Sequence, residues 1–141
     1  MRKLAACGII SLAFSVSHPA WSQSPCGGIN RGLSKGDQIG LSRRVSDLQG
    51  RRVDVLQSFR FHGWTILFVE PYTSDEEDLF FAHDPFSSRY VALWGGGVAP
   101  TFEKKNVRRW VLKNAQGVPR KLASCFAWYV TADRGLKAQG E

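Results

Sequence analysis

Two cysteines near opposite ends of the chain, Cys26 and Cys125, constrain the fold more than any other feature of the 141 residues. The third cysteine, Cys7, lies in an N-terminal segment that we expect to be removed from the mature protein. An even pair in an exported chain is typical of a single disulfide, and two free thiols are the alternative. The bridge would close a loop of about 100 residues, so it would bring the start and the end of the domain together.

The N-terminal segment has the three parts of a secretory signal peptide. A basic start is followed by apolar or small residues from 4 to 16 and by small residues before a cut after Ser22. A buried N-terminal helix is the alternative, and Pro19 argues against it because proline interrupts helices. We therefore predict a signal peptide over residues 1–22 and an exported protein, either periplasmic or secreted. The chain has no Asn-x-Ser/Thr acceptor for glycosylation, which favours a bacterial envelope.

Length and composition predict one domain. Hydrophobic residues make up 43% of the chain and charged residues 22%, which is ordinary globular usage and excludes a disordered or collagen-like chain. No apolar run reaches the roughly 18 residues of a membrane-spanning helix, so we predict no transmembrane segment in the mature chain. We assign residues 23–131 to a single globular domain and residues 132–141 to a polar C-terminal tail.

Alternation of apolar and polar residues from 53 to 61 predicts a half-buried strand with one face in water. Gly63 then permits a tight turn into a second strand, residues 64–69, which is apolar on both faces and therefore more central. Further short apolar stretches predict three more strands. These are residues 79–82, 90–94 and 124–131.

One helix is predicted from about residue 102 to residue 115, before the helix-stopping pair Gly117 and Pro119. The glycine-rich residues 23–40 predict a loop or an extended arm, and apolar spacing from 41 to 48 allows one or two helical turns. The resulting fold class is α+β, a small antiparallel sheet of about five strands with one helix packed on it and one disulfide. A second helix from Leu122 to Val130, in place of the fifth strand, is the alternative.

Residues that could carry catalysis or bind a metal are present but form no known pattern. His62, His83 and Glu70 are the candidates for a small periplasmic enzyme, and nothing in the sequence brings them together. The acidic run at residues 75–78 lacks the alternation and the glycine of a calcium loop, and the chain has no His-Glu-x-x-His motif. We therefore predict no catalytic residue, no metal site and no cofactor.

The predicted helix is cationic over most of its surface. At 100° per residue, Val107, Trp110 and Val111 fall on one narrow apolar side, which we expect to lie against the sheet. The cations fall on the remaining arc, and they are Lys104, Lys105, Arg108, Arg109 and Lys113. This face is either an ordinary solvated surface or a contact surface for an acidic protein or an anionic polymer of the envelope.

These observations favour a small exported envelope protein that acts as a non-enzymatic binding, inhibitor or accessory module with an unidentified target. Two alternatives stay open: a periplasmic enzyme with a His/Glu site, and a binder of anionic polymers through the basic helix face. A pocket that gathers two of the candidate catalytic side chains would favour the enzyme, whereas convex surroundings would favour the binder.

Overall fold

The computed structural model describes residues 24–134; the predicted signal peptide and residues 135–141 of the predicted tail lie outside this range. Its regular elements are α1 (Lys35–Gln49), β1 (Val53–Phe61), β2 (Trp64–Pro71), β3 (Glu77–Phe81), β4 (Ala92–Trp94), α2 (Lys104–Asn114) and α3 (Arg120–Trp128). A 3-10 turn, Thr101–Glu103, leads into α2. A π-helical turn, Tyr129–Asp133, extends α3.

The strands form one antiparallel sheet in the order β1-β2-β3-β4. α1 packs on one face of this sheet, and α2 and α3 pack together on the other. The α+β class and the antiparallel pairing are confirmed. The counts were wrong: residues 24–134 contain four strands where about five were predicted, and three α-helices where one was predicted.

A β-bulge in β1 overturns the prediction of a strand with one wet face. The pairing of β1 with β2 shifts its register between Val55 and Gln57, so Leu56 is an extra residue in β1. One inserted residue reverses the side of the sheet to which all later side chains point. Val55 therefore packs toward α1, whereas Phe59 packs toward α2 and α3, and both faces of the sheet are covered.

α1 is a helix of 15 residues, longer than the one or two turns that the sequence predicted. The hydroxyl of Ser34 caps its start by accepting a hydrogen bond from the backbone N–H of Asp37 at 3.0 Å. Gly40, part of the glycine-rich stretch that suggested a loop, lies where the Phe86 ring approaches the helix. A Cβ at this position would lie 3.1 Å from that ring, so the glycine serves packing and not a turn.

The predicted fifth strand is also wrong, because residues 124–131 belong to α3 and to the π-helical turn after it. Aromatic and β-branched residues favoured a strand. However, the buried apolar side chains recur at helical spacing, and they are Leu122, Cys125, Phe126, Tyr129 and Val130. Burial of this stripe outweighs the local β preference. Residues 132–134 continue the helical segment, and the side chain of Arg134 is buried.

The predicted disulfide is confirmed and holds the N-terminal arm in place. Cys26 and Cys125 are bonded, with their α-carbons 4.8 Å apart and 99 positions between them in sequence. Two backbone hydrogen bonds between Asn30 and Arg60, of 3.0 and 2.8 Å, join the same arm to the outer edge of β1. The arm therefore connects α3 to the edge of the sheet farthest from β4.

Candidate binding surface

Positive charge is concentrated in the layer formed by α2 and α3. From residue 104 to residue 132 the chain has seven basic residues and no acidic one. We call this set the basic face, and its members are Lys104, Lys105, Arg108, Arg109, Lys113, Arg120 and Lys121. An uncompensated cluster of this kind produces a positive potential that attracts anions.

The side chains of the basic face are nearly all exposed and form no ion pair with any residue from 24 to 134. Arg108 is the exception in exposure: it is partly buried, and its Nε donates a hydrogen bond to the Ser124 hydroxyl of α3 at 2.8 Å. The arginines that form ion pairs within residues 24–134 lie elsewhere, and they are Arg31, Arg51, Arg60 and Arg134. Of the five cations that the sequence singled out, Arg108 is tied to the neighbouring helix, and the other four are exposed to solvent.

A groove runs beside α2 at the edge of the sheet, and sequence reasoning missed it. Its volume is about 470 Å³, and its walls are the partly exposed Trp94 of β4, Trp110 of α2 and the loop of residues 96–100. The two indole rings meet edge to face with centroids 5.0 Å apart. The prediction had placed Trp110 wholly inward, but only Val107 and Val111 of this helix are buried.

A row of polar side chains along α2 connects the groove to the basic face. The Asn106 amide donates to a Glu103 carboxylate oxygen at 2.9 Å, and Asn106 Oδ1 accepts from Arg109 Nη1 at 3.1 Å. Glu103 and Asn106 line the groove. The guanidinium of Arg109 is therefore held beside the groove, with most of its five N–H donors unused.

The three candidate catalytic side chains are not gathered at one place. His62 lies in the β1–β2 turn, and His83 follows β3 at the same end of the sheet, since Thr65 pairs with Phe81. Glu70 lies near the other end of β2, and all three candidates are exposed. Within residues 24–134, no three His, Cys, Asp or Glu side chains are grouped so that they could hold a metal ion.

The acidic run 75–78 contributes to the structure instead. Glu77 forms an ion pair with Arg51, and the buried carboxylate of Asp78 accepts two hydrogen bonds from Arg134, at 2.8 and 3.1 Å. The Arg134 guanidinium also lies over the Phe68 ring, 3.7 Å from its centroid. Burial raises the pKa of Asp78 to about 6, although Arg134 opposes this shift. The pair fixes the last helical turn of residues 24–134 to the sheet.

No protein-family model, curated protein or solved structure matches this chain. None of the helices in residues 24–134 has the length and apolar character needed to cross a membrane. We therefore infer a function from the surface of the α2–α3 layer.

Proposed function

We propose that this protein is a small exported binding protein whose basic face contacts an anionic polymer of the cell envelope. The observation that carries the proposal is the seven cations of α2 and α3, which have no acidic residue among them and no ion pair within the part of the chain that the structure describes. The predicted signal peptide supports export. The disulfide is compatible with it, because disulfides persist in oxidising compartments.

The arrangement of the cations favours a polymer over an acidic protein. Lys105, Arg109 and Lys113 recur every four residues along the outer side of α2, and we call them the basic ridge. Residues four apart on a helix are about 6 Å apart along its axis and about 40° apart around it, so the ridge is a closely spaced, slightly slanted row of charges. A chain with repeating anionic groups can engage such a row with several groups at once. A protein partner would in addition require an apolar centre in the interface, and none of the three ridge residues is apolar.

A triple alanine variant of the basic ridge tests the proposal. Lys105→Ala, Arg109→Ala and Lys113→Ala together should weaken binding of a galacturonic acid hexasaccharide and of inorganic polyphosphate by about tenfold or more at low salt. The wild-type affinity for both probes should fall steeply with added salt, because the attraction is screened and counterions are released. Isothermal titration or fluorescence anisotropy would measure both effects.

The matched control removes the same charge from the opposite layer. Lys35, Arg43 and Arg89 are exposed and form no hydrogen bond or ion pair within the described range. Their triple alanine variant should bind both probes within about twofold of wild type, since it leaves the basic face intact. Equal losses in the two triple variants would show that net charge alone attracts the polyanions, and the proposal would then be wrong.

A further inference from the structure

We infer that the groove lined by Trp94 and Trp110 is a sugar subsite, so that the anionic polymer bound by the basic face is an acidic polysaccharide. This inference rests on the proposed function and names the chemistry of its ligand. A groove of about 470 Å³ is within the range of small-ligand sites. Its two partly exposed indoles offer the apolar surface on which the C–H face of a sugar ring packs.

The polar groups of the groove suit hydroxyl groups. Glu103 offers acceptors and Asn106 offers both donors and acceptors, and their mutual hydrogen bond fixes the orientation of the amide. The buried N–H of Trp94 has no hydrogen-bond partner within residues 24–134. The Gly96 backbone packs over this N–H, so the donor is closed to a ligand, and the polar contacts of the groove come from Glu103 and Asn106.

Arg109 supplies the positive charge that would favour an acidic sugar over a neutral one and offset the Glu103 carboxylate in the groove wall. Its guanidinium is bonded to Asn106 at the groove and also belongs to the basic ridge. A ring seated on the indoles would thus present its carboxylate to Arg109, and the next acidic residues of the polymer would follow the ridge toward Lys113. Charge-assisted hydrogen bonds from a guanidinium to a carboxylate are among the stronger polar contacts in proteins.

Gly96 provides a variant that alters the groove without changing any charge. A Cβ at Gly96 would lie 2.8 Å from Cε2 and Cζ2 of Trp94, so the indole or the loop must move. Gly96→Ala should weaken binding of the galacturonic acid hexasaccharide by about three- to tenfold, the effect of one or two lost contacts. Polyphosphate has no sugar ring, so its affinity should stay within about twofold. Gly36→Ala is the matched control, because a Cβ there meets nothing within 4 Å.

Asn106→Ala is a second variant, on an exposed side chain where folding is not at risk. It should also weaken the hexasaccharide more than polyphosphate. The inference is overturned if Gly96→Ala and Asn106→Ala affect both probes alike or neither of them, while the basic-ridge variant still weakens both. If the basic-ridge variant has no effect on either probe, the proposed function itself fails, and the two failures are thus distinguishable.

Discussion

Arg134→Met is expected to lower the free energy of unfolding by about 3–5 kcal/mol at neutral pH, because it leaves a buried carboxylate without its partner. The Asp78 side chain is only 1% exposed and receives both terminal nitrogens of Arg134. Chemical denaturation followed by circular dichroism would measure the loss.

The pH dependence gives this prediction a signature that simple loss of packing lacks. The pKa of Asp78 is raised from 3.8 to about 6, so the folded state binds a proton more tightly than the unfolded state. A group of this kind adds stability as the pH falls. Through this group, the free energy of unfolding of the wild type should be about 1 kcal/mol larger at pH 5 than at pH 7. Without Arg134 the pKa of Asp78 rises further. The difference in unfolding free energy between the wild type and Arg134→Met should therefore shrink as the pH falls from 7 to 5.

Arg60→Met is the matched control for the buried pair. Arg60 pairs with Asp37 at 3.4 Å, and the two side chains are 34% and 41% exposed. An ion pair this open to water contributes only about 0–1 kcal/mol. The double variant Arg134→Met with Asp78→Leu should regain part of the lost stability, since no buried charge remains unpaired. If Arg134→Met costs no more than Arg60→Met, the pair does not hold the C-terminal segment.

Removal of the disulfide should cost about 2–5 kcal/mol, because the bridge restricts the unfolded chain. Its 99-residue separation spans nearly the whole described chain, so the loss should lie toward the upper end of that range. The single variant Cys26→Ala should lose nearly as much unfolding free energy as the double variant Cys26→Ala with Cys125→Ala, since either change breaks the bond. Denaturation midpoints of the single, double and wild-type proteins would measure this.

Accessibility to reductant provides the complementary measurement. Cys125 is fully buried and Cys26 is 7% exposed, so a thiolate reductant reaches the bond only after local opening. We expect slow reduction of the native protein and fast reduction in denaturant. A stability loss below about 1 kcal/mol in the double variant would contradict the entropic account of the bridge.

The sequence predicted the features that rest on strong local signals. The cysteine pair required a bridge once an exported chain was assumed, and the period-two pattern from Val53 located β1 correctly. The basic helix was found within two residues of its observed bounds because its apolar stripe is narrow and its stop signal is clear.

The errors in the predicted fold have one physical cause. Tertiary packing overrides the local preferences on which the predictions were based. Because of the bulge at Leu56, the apolar residues before it in β1 pack toward α1, whereas those after it pack toward α2 and α3. α3 was misassigned because β-branched and aromatic residues were given more weight than the helical spacing from Leu122 to Val130. Arg134 was assigned to a polar tail because its partner Asp78 is 56 positions away, and no sequence pattern links them.

The groove could not be predicted because it depends on how three elements meet. Trp94 ends β4, Trp110 lies on α2, and the glycine loop between them closes over the first indole. One usable hint is present in the sequence, the tryptophan directly before three glycines. Its pairing with a half-exposed tryptophan on the helix became visible only in the fold.

Chemical-shift mapping with the galacturonic acid hexasaccharide tests the central claim most directly. Titration of the ¹⁵N-labelled protein should shift amide signals along α2 from Lys104 to Lys113 and at Arg120 and Lys121. Added salt should reverse these shifts, whereas the signals of α1 should stay in place. Shifts centred on α1, or spread evenly over the surface and insensitive to salt, would contradict the assignment of the basic face as the contact surface.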